Sequence, residues 1–479
     1  MTWNKKVDFS NIPWFTLAMT GIFILSLMLR FWNLNQFNTL VFDEVYYAKF
    51  SNDYLTGTPF FNAHPPLSQY LIAIGIWIGS HFPTAPDTVN GLTGSLRSTF
   101  SYRWLNAFSG SFIPLIVGAI AYQLTRRRSY GLIAALFAAL DGLFLVESRY
   151  ALNNIYLVIF GLLGQLYFLL ALKDNKRWNW QLTLSGIFFG ASAAIKWNGL
   201  GFLLGIYLIS IVAWLTSFGK KEKDNISQSF QIPLQNITRL TWLPVVCNLG
   251  IVPIITYSLL WIPHLLMNSQ YGFWEIQKEI LSFHERIGDG SKVHPYCSHW
   301  YSWLLMWRPI AYFYQKVLNT EATVPAYPPL PEGAGKVIYD VHAMGNPILW
   351  WLSTAAIVLL LLLLISRIFS GEIVKYAPTA QTWIALYIIS NYVANLLPWV
   401  KVTRCTFLYH YMPSYVFAWL ALTWIIDGWL RSHVPAHRNA GIAVILLVTA
   451  AFIFWLPIYL GIPLSPEGYR IRMWFPNWI

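Results

Sequence analysis

The chain carries apolar runs too long and too many for a water-soluble core. The stretch at 347–365, PILWWLSTAAIVLLLLLLI, contains no charged residue, and a helix crossing the hydrocarbon core of a bilayer needs about 20 such residues. Ten more runs resemble it, at 12–29, 104–124, 131–146, 151–172, 182–195, 200–218, 242–263, 381–397, 407–426 and 440–460. Charged side chains make up only 11% of the 479 residues, against roughly 25% in ordinary globular proteins. Aromatics at 17% exclude a disordered chain. The expected fold is therefore all-α and polytopic, with about eleven transmembrane helices and lipid as the solvent.

A twelfth apolar run, Leu67–Phe82, is shorter and interrupted by Ser68, Gln69 and Gly75. Charge decides whether it crosses. If it does not, and Lys5 and Lys6 are cytoplasmic, one side receives Arg126–Arg128, Lys173 with Lys176 and Arg177, Lys220, Lys221 and Lys223, Arg367 with Lys375, and Arg431 with Arg438. That asymmetry is the positive-inside pattern, so Leu67–Phe82 is read as an interfacial helix. The net charge of +12 then reflects orientation and does not call for a nucleic-acid partner. The N-terminus is expected in the cytoplasm, with a retained first helix, and the C-terminus outside. The chain divides into an N-terminal membrane module (1–263) whose first outer loop spans 30–103, a large outer loop (264–346) and a C-terminal membrane module (347–479). The segment 220–239 is the most linker-like. Cys247, Cys297 and Cys405 are too few and too scattered for a disulfide framework or a zinc site.

The outer loops hold the candidate chemistry. Asp43 and Glu44 adjoin the end of an apolar helix. In extended backbone neighbouring side chains point opposite ways. One carboxylate could serve as a general base while the other binds a cation or fixes the loop; a solvated loop pair is the alternative. His64 follows in the segment Asn62-Ala63-His64-Pro65-Pro66, where Pro65 keeps it out of helical geometry. Cations gather at outer helix ends: Arg103, Arg149, Lys196, Arg308, Lys401 and Arg404, with His410 nearby. Singly each could snorkel; together they describe a basic, aromatic-lined cleft suited to a lipid phosphate. Glu147 is expected to pair with Arg149 or a neighbour as a structural contact. No P-loop, GxGxxG turn, HExxH or GxSxG elbow is present.

Taken in order, FDEVYYAKF at Phe42, FFNAHPPL, YRWLNAFSG, ESRYALNN, KWNGL, HPYCSHWYSWLLMWRP, GNPILWW and LPWVKVTRCTFLYHYMP resemble the protein O-mannosyltransferases, which are polyprenyl-phosphate-mannose-dependent glycosyltransferases of the GT-C type. Tyr46, Ala48, Asn62 and Asn154 depart from residues common in that family. The length of the 264–346 loop points to a bacterial-type member without the eukaryotic soluble insertion. The resemblance implies catalytic roles for Asp43 and Glu44. It implies donor-phosphate binding by Arg103, Arg404, Lys401 and His410, and supporting roles for Arg30, His64, Arg149 and Lys196. It implies an inverting transfer of mannose from a polyprenyl phosphate to Ser or Thr hydroxyls of translocated polypeptides at the outer face of the plasma membrane. No cofactor is required, although a divalent cation at Asp43 and Glu44 is compatible with the pair. The secretion translocon and a second copy of the chain are candidate partners. The rival readings are a related enzyme with a lipid or glycan acceptor, and a polytopic transporter, which would be expected to show repeated halves and mid-span charges.

Overall fold

The computed structural model describes residues 13–83, 89–173, 177–217, 233–317, 336–370 and 379–479. Lys5, Lys6, Lys176, Lys220, Lys221, Lys223, Lys375 and most of the linker-like 220–239 segment lie outside these residues. In chain order the elements that matter here begin with α1 (Trp14–Phe31), α2 (Glu44–Thr56), α3 (Leu67–Gly79) and the hairpin β1 (Val89–Leu92) with β2 (Ser95–Ser98). The helices α4 (Thr99–Gly110), α5 (Ile113–Thr125), α6 (Arg128–Ala139), α7 (Gly142–Arg149), α8 (Asn154–Lys173), α9 (Trp178–Ala193) and α10 (Leu200–Ser217) follow. A segmented helix α11 (Trp242–Met267) leads to α12 (Phe273–Arg286). Next come the hairpin β3 (Ile310–Val317) with β4 (Val337–Ala343), and α13 (Pro347–Phe369), α14 (Ala380–Leu396), α15 (Met412–Leu430) and α16 (Pro435–Leu460).

Among the described residues, eight helical stretches are long and apolar enough to cross a membrane. A ninth is gained if α6 and α7, bent by 58° at their junction, form one span. These nine coincide with nine of the eleven expected runs. The other two expected runs are helices of a different kind. α9 has only 16 residues. α15 has 19, but it includes Pro413, Tyr415, Trp419 and Asp427, and it is buried without interruption from Met412 to Thr423. A helix that faces protein on every side does not need the hydropathy that lipid contact demands. α1 shows the opposite case: only Ser26 and Arg30 are buried along it, and Leu17, Ile24 and Met28 are exposed. α3 has 13 residues, which at 1.5 Å per residue rise about 20 Å, short of the roughly 30 Å of hydrocarbon.

Among the described residues, a main core runs from Phe37 to Trp478 and draws on all three sequence segments, with a small second cluster at Trp261, Ile276 and Ile280. Close helix approaches define the end that carries the candidate site. At Gly110 an added Cβ would lie 2.4 Å from Ser148 Cβ, so only glycine lets α4 pack this tightly on α7. β3 and β4 pair antiparallel, with a register shift between Ala311 and Phe313. That bulge lifts Tyr312 out of the ladder and re-aims it towards α7.

The cysteine expectation is corrected. Cys297 and Cys405 form a disulfide, with Cα atoms 5.1 Å apart across 108 residues of sequence. It fastens the 264–346 loop to the strap before α15. Backbone bonds Cys405 N–H to Gly288 O (2.8 Å) and Ser298 N–H to Thr406 O (2.8 Å) reinforce it. Sequence spacing could not reveal this pair, because only the fold brings positions so far apart together.

Candidate active site

The acidic pair divides at the start of α2. Glu44 is the first helical residue and is fully buried. Its Oε1 accepts from Arg103 Nε (2.9 Å) and the Ala151 amide (2.9 Å), and its Oε2 accepts from Arg103 Nη2 (2.7 Å) and the Val41 amide (2.8 Å). Arg103 completes its set by donating to the carbonyls of Leu34 (3.1 Å), Phe37 (3.0 Å) and Thr39 (2.8 Å). All five of its N–H groups are thus engaged. Glu44, expected to be catalytic, and Arg103, expected at the donor phosphate, form a buried knot that ties the 30–103 loop to α4 and to Ala151 after α7.

Arg149 and Arg30 also belong to the scaffold. Arg149 Nη1 donates to the carbonyls of Leu29, Arg30 and Trp32, closing the end of α1. Arg30 Nη1 reaches Ser26 Oγ within its own helix at 2.6 Å. Of the two alternatives for Glu147, Arg149 or a neighbour, the structure shows the second: its partners are Asn154 and Tyr312.

Asp43 lies on the other side of the junction. It precedes α2 without capping it by its side chain. The residue before it, Phe42, has φ of 51°, a left-handed backbone that costs a bulky residue about 1–3 kcal/mol. The Phe42 ring is held in this position by stacking on Tyr312, with centroids 4.2 Å apart and planes at 10°. This turn leaves Asp43 near Lys196 and Glu147, whose charges act on one another. Lys196 Nζ donates to Asn154 Oδ1 (2.9 Å) and lies 5.2 Å above the Tyr409 ring. Asn154 Nδ2 donates to Glu147 Oε2 (3.1 Å), and the Tyr312 hydroxyl donates to Glu147 Oε1. Burial raises the Asp43 carboxyl to about 6, and the positive charge of Lys196 restrains that rise. Burial lowers the Lys196 ammonium, and Asp43 and Glu147 oppose the shift. A carboxylate poised near neutrality next to a cation suits a general base.

Arg404 is half-buried at the rim. Its Nη1 donates to Cys405 O at 3.0 Å, and its charge reaches Tyr47, Tyr409, Lys196, His64 and His284. His64 lines the same space, its ring 5.3 Å from that of His284 on α12, which in turn bonds the Ala63 carbonyl through Nε2 at 2.9 Å. Burial first, then nearby cations, lower both imidazoles, His284 to about 4, so near neutral pH neither adds positive charge. Lys401 and His410, also expected at the donor phosphate, lie in different surroundings. Lys401 is exposed on the turn Leu397–Lys401 and makes no hydrogen bond or ion pair among the described residues. His410 is buried, its Nδ1 is engaged with the Phe407 backbone, and its ring is packed against Trp399 and Trp303.

Both oxygens of Glu44, named with Asp43 for a divalent cation, accept hydrogen bonds from Arg103 and backbone amides. Among the described residues, no three His, Cys, Asp or Glu side chains converge as they would around a metal. Immediately after Lys196, two apolar grooves flank α10. One, about 570 Å³, lies against α9, α11 and α12; the other, about 490 Å³, lies against α14. They share Trp197, Leu200, Leu203 and Tyr207 as a common wall.

Sequence reasoning missed Glu147, Asn154, Tyr312, Tyr409 and His284 as pocket residues. Glu147 carried a signal, since a carboxylate at the end of an apolar helix needs a partner. Tyr312 carried none, because a β-bulge delivers it.

Comparison with known proteins agrees with this architecture. Residues 20–266 match a family model described as dolichyl-phosphate-mannose-protein mannosyltransferase, and residues 269–478 match the C-terminal four-span region of protein O-mannosyltransferase. A polyprenol-phosphate-mannose–protein mannosyltransferase of Mycolicibacterium smegmatis is 24% identical, covering 96% of this chain and 92% of its own length. One from Corynebacterium glutamicum is 23% identical over 99% and 95%. Among solved structures, the S. cerevisiae Pmt1–Pmt2 complex bound to its sugar donor superposes with a TM-score of 0.77 at 16% identity, covering 97% of this chain and 92% of that one. ArnT from Cupriavidus metallidurans bound to undecaprenyl phosphate gives 0.51 at 13% identity, over 93% and 64%.

Proposed function

The chain belongs to the protein O-mannosyltransferase family, and from that premise we propose that it transfers mannose from a polyprenyl-phosphate-mannose donor to Ser or Thr hydroxyls of proteins. The observations that carry this reading are that Asp43, Glu147 and Arg404 lie near enough to Lys196 to act on its charge, and that two apolar grooves run along α10 from Trp197, the next residue in the chain. A polyprenyl tail fits such a groove, which brings its phosphate to Lys196 and Arg404. The acceptor hydroxyl lies against Asp43, which takes its proton as the oxygen attacks the anomeric carbon. The bond from that carbon to the phosphate oxygen breaks, and the electron pair leaves with the polyprenyl phosphate. Lys196 and Arg404 offset the charge that develops there; Arg103, which the sequence placed in this role, has no N–H to spare. Single displacement inverts the anomeric centre. Asn154 and Glu147 hold Lys196 in place.

The enzyme is placed in the plasma membrane with its pocket on the outer face. Two observations favour this orientation. Arg126–Arg128, Arg177, Arg367, Arg431 and Arg438 sit at helix ends remote from the pocket. The Cys297–Cys405 disulfide sits beside the pocket, as suits an oxidising compartment. Acceptors then arrive extended from the secretion translocon.

The test is Asp43→Asn in membranes supplied with polyprenyl-phosphate-mannose and a Ser/Thr-rich peptide. Loss of the base should reduce transfer by about 10²–10⁴-fold with the protein still inserted. Transfer at the wild-type rate would sink the assignment. Transfer to lipid but not to peptide would move the enzyme to the rival acceptor class.

A further inference from the structure

A separate cavity of about 260 Å³ lies at the opposite end of α15 from the pocket, between the end of α5, the start of α14 and the end of α15. Arg127, Gln381, Trp424 and Trp429 are among its walls. Asp427, fully buried, accepts from Arg127 Nη1 at 2.9 Å and from the Ser129 hydroxyl. It therefore occupies one edge of the Arg127 guanidinium. The Arg127 Nε is buried and has no hydrogen-bond partner among the described residues. An arginine held by Nη1 still has Nε and Nη2 as a fork, the arrangement that takes two oxygens of one phosphate.

The surroundings favour an anion. Arg126 and Arg128 flank Arg127 in sequence, Arg431 follows α15, and Arg367 at the end of α13 donates to Thr382 on α14 at 2.5 Å. Asp427 is the one carboxylate among the described residues of these helix ends. Apart from Arg127, Thr125 and Gln381, the walls are apolar, with Ile384 and Ile425 beside the two tryptophans. Tryptophan at the end of a membrane helix belongs to the headgroup level.

We propose that this cavity binds the phosphate of an anionic phospholipid in the leaflet opposite the pocket, with its acyl chains running over Ile384 and Ile425 between α14 and α15. The apolar wall selects a lipid over free phosphate, and the unpaired guanidinium edge together with the surplus of arginines selects an anionic headgroup over a zwitterionic one.

Native mass spectrometry of the purified full-length chain, titrated with phosphatidylglycerol, phosphatidylcholine or inorganic phosphate, tests this without any sugar donor or acceptor. A failure here therefore leaves the mannosyl-transfer reading intact. Wild type should retain phosphatidylglycerol about tenfold better than phosphatidylcholine, through the charge-assisted fork. Arg127→Lys keeps a cation opposite Asp427 but removes the fork, and should cut that preference about fivefold. Trp429→Ala, which leaves the ion pair alone, should weaken retention of both lipids, and it decides the matter if Arg127→Lys fails to insert. Equal retention of the two lipids by wild type, or both variants binding as wild type does, overturns the proposal. Displacement of phosphatidylglycerol by equimolar inorganic phosphate overturns the choice of a lipid.

Discussion

Two buried clusters of opposite charge stand within one turn of α2, and they behave differently. In the first, Glu44 and Arg103 satisfy each other and the surrounding backbone completely. In the second, Asp43 faces Lys196 and Glu147 with its carboxyl pushed up by burial and without capping its own helix. The residue types are nearly the same in both. What differs is how much hydrogen-bonding capacity is left over. A cluster with every donor and acceptor used can only hold a fold together, whereas one with capacity to spare can receive a substrate.

Variants on the two sides should separate stability from activity. The largest effect is expected for Arg103→Ala. Removing one member of a buried pair typically costs about 3–5 kcal/mol, and here it also strands three backbone carbonyls. The protein should be depleted from membranes, as measured by immunoblot after detergent extraction. A stable, inserted but inactive Arg103→Ala protein would instead return Arg103 to the donor site.

Lys196→Gln should leave the protein inserted and reduce transfer by about 10²–10³-fold, as losing one preorganised charge at a developing oxyanion does. Unchanged kcat and KM for the donor would show that Lys196 does not meet the phosphate. Acidification should act on the same side of the comparison. Asp43 accepts a proton only as the carboxylate, so kcat/KM should fall about tenfold per pH unit below its pKa, which burial places at about 6. An acid limb near 4, where an exposed aspartate titrates, would mean that Asp43 is not the base or is not shielded. The smallest effect is expected for Lys401→Ala, exposed and outside both clusters; peptide mannosylation within about 0.5 kcal/mol of wild type in transition-state terms is the expected result, and a large loss would restore it to the phosphate site.

The fold was legible at the level of its solvent. Among the described residues, eight apolar runs, or nine with the bent α6–α7 pair, became helices long and apolar enough to cross a membrane because hydropathy reports contact with lipid directly. The signal is weaker for α15, which is buried in protein and so does not need the hydropathy that lipid contact demands. In the site, Asp43, Lys196, Arg404 and His64 were all legible as unusual polar residues at outer helix ends. The division of labour among the arginines was not. Arg30, Arg103, Arg149 and Arg404 look alike in a sequence, yet carbonyls and a carboxylate fill every N–H group of Arg103, whereas Arg30 keeps Nε and Nη2 buried without a partner among the described residues.

The sequence by itself determined that the chain lives in a membrane, which of its ends gather positive charge, and which family its ordered motifs resemble, because each is set by local composition or by residues read in a row. Only the tertiary structure decided that Glu44 belongs to Arg103, that Cys297 reaches Cys405, and that a bulge in β3 sends Tyr312 to Glu147. Those pairings join positions 59, 108 and 165 residues apart. Hydrogen-bond capacity is shared through space, so no stretch of chain records which of its polar groups will be left free.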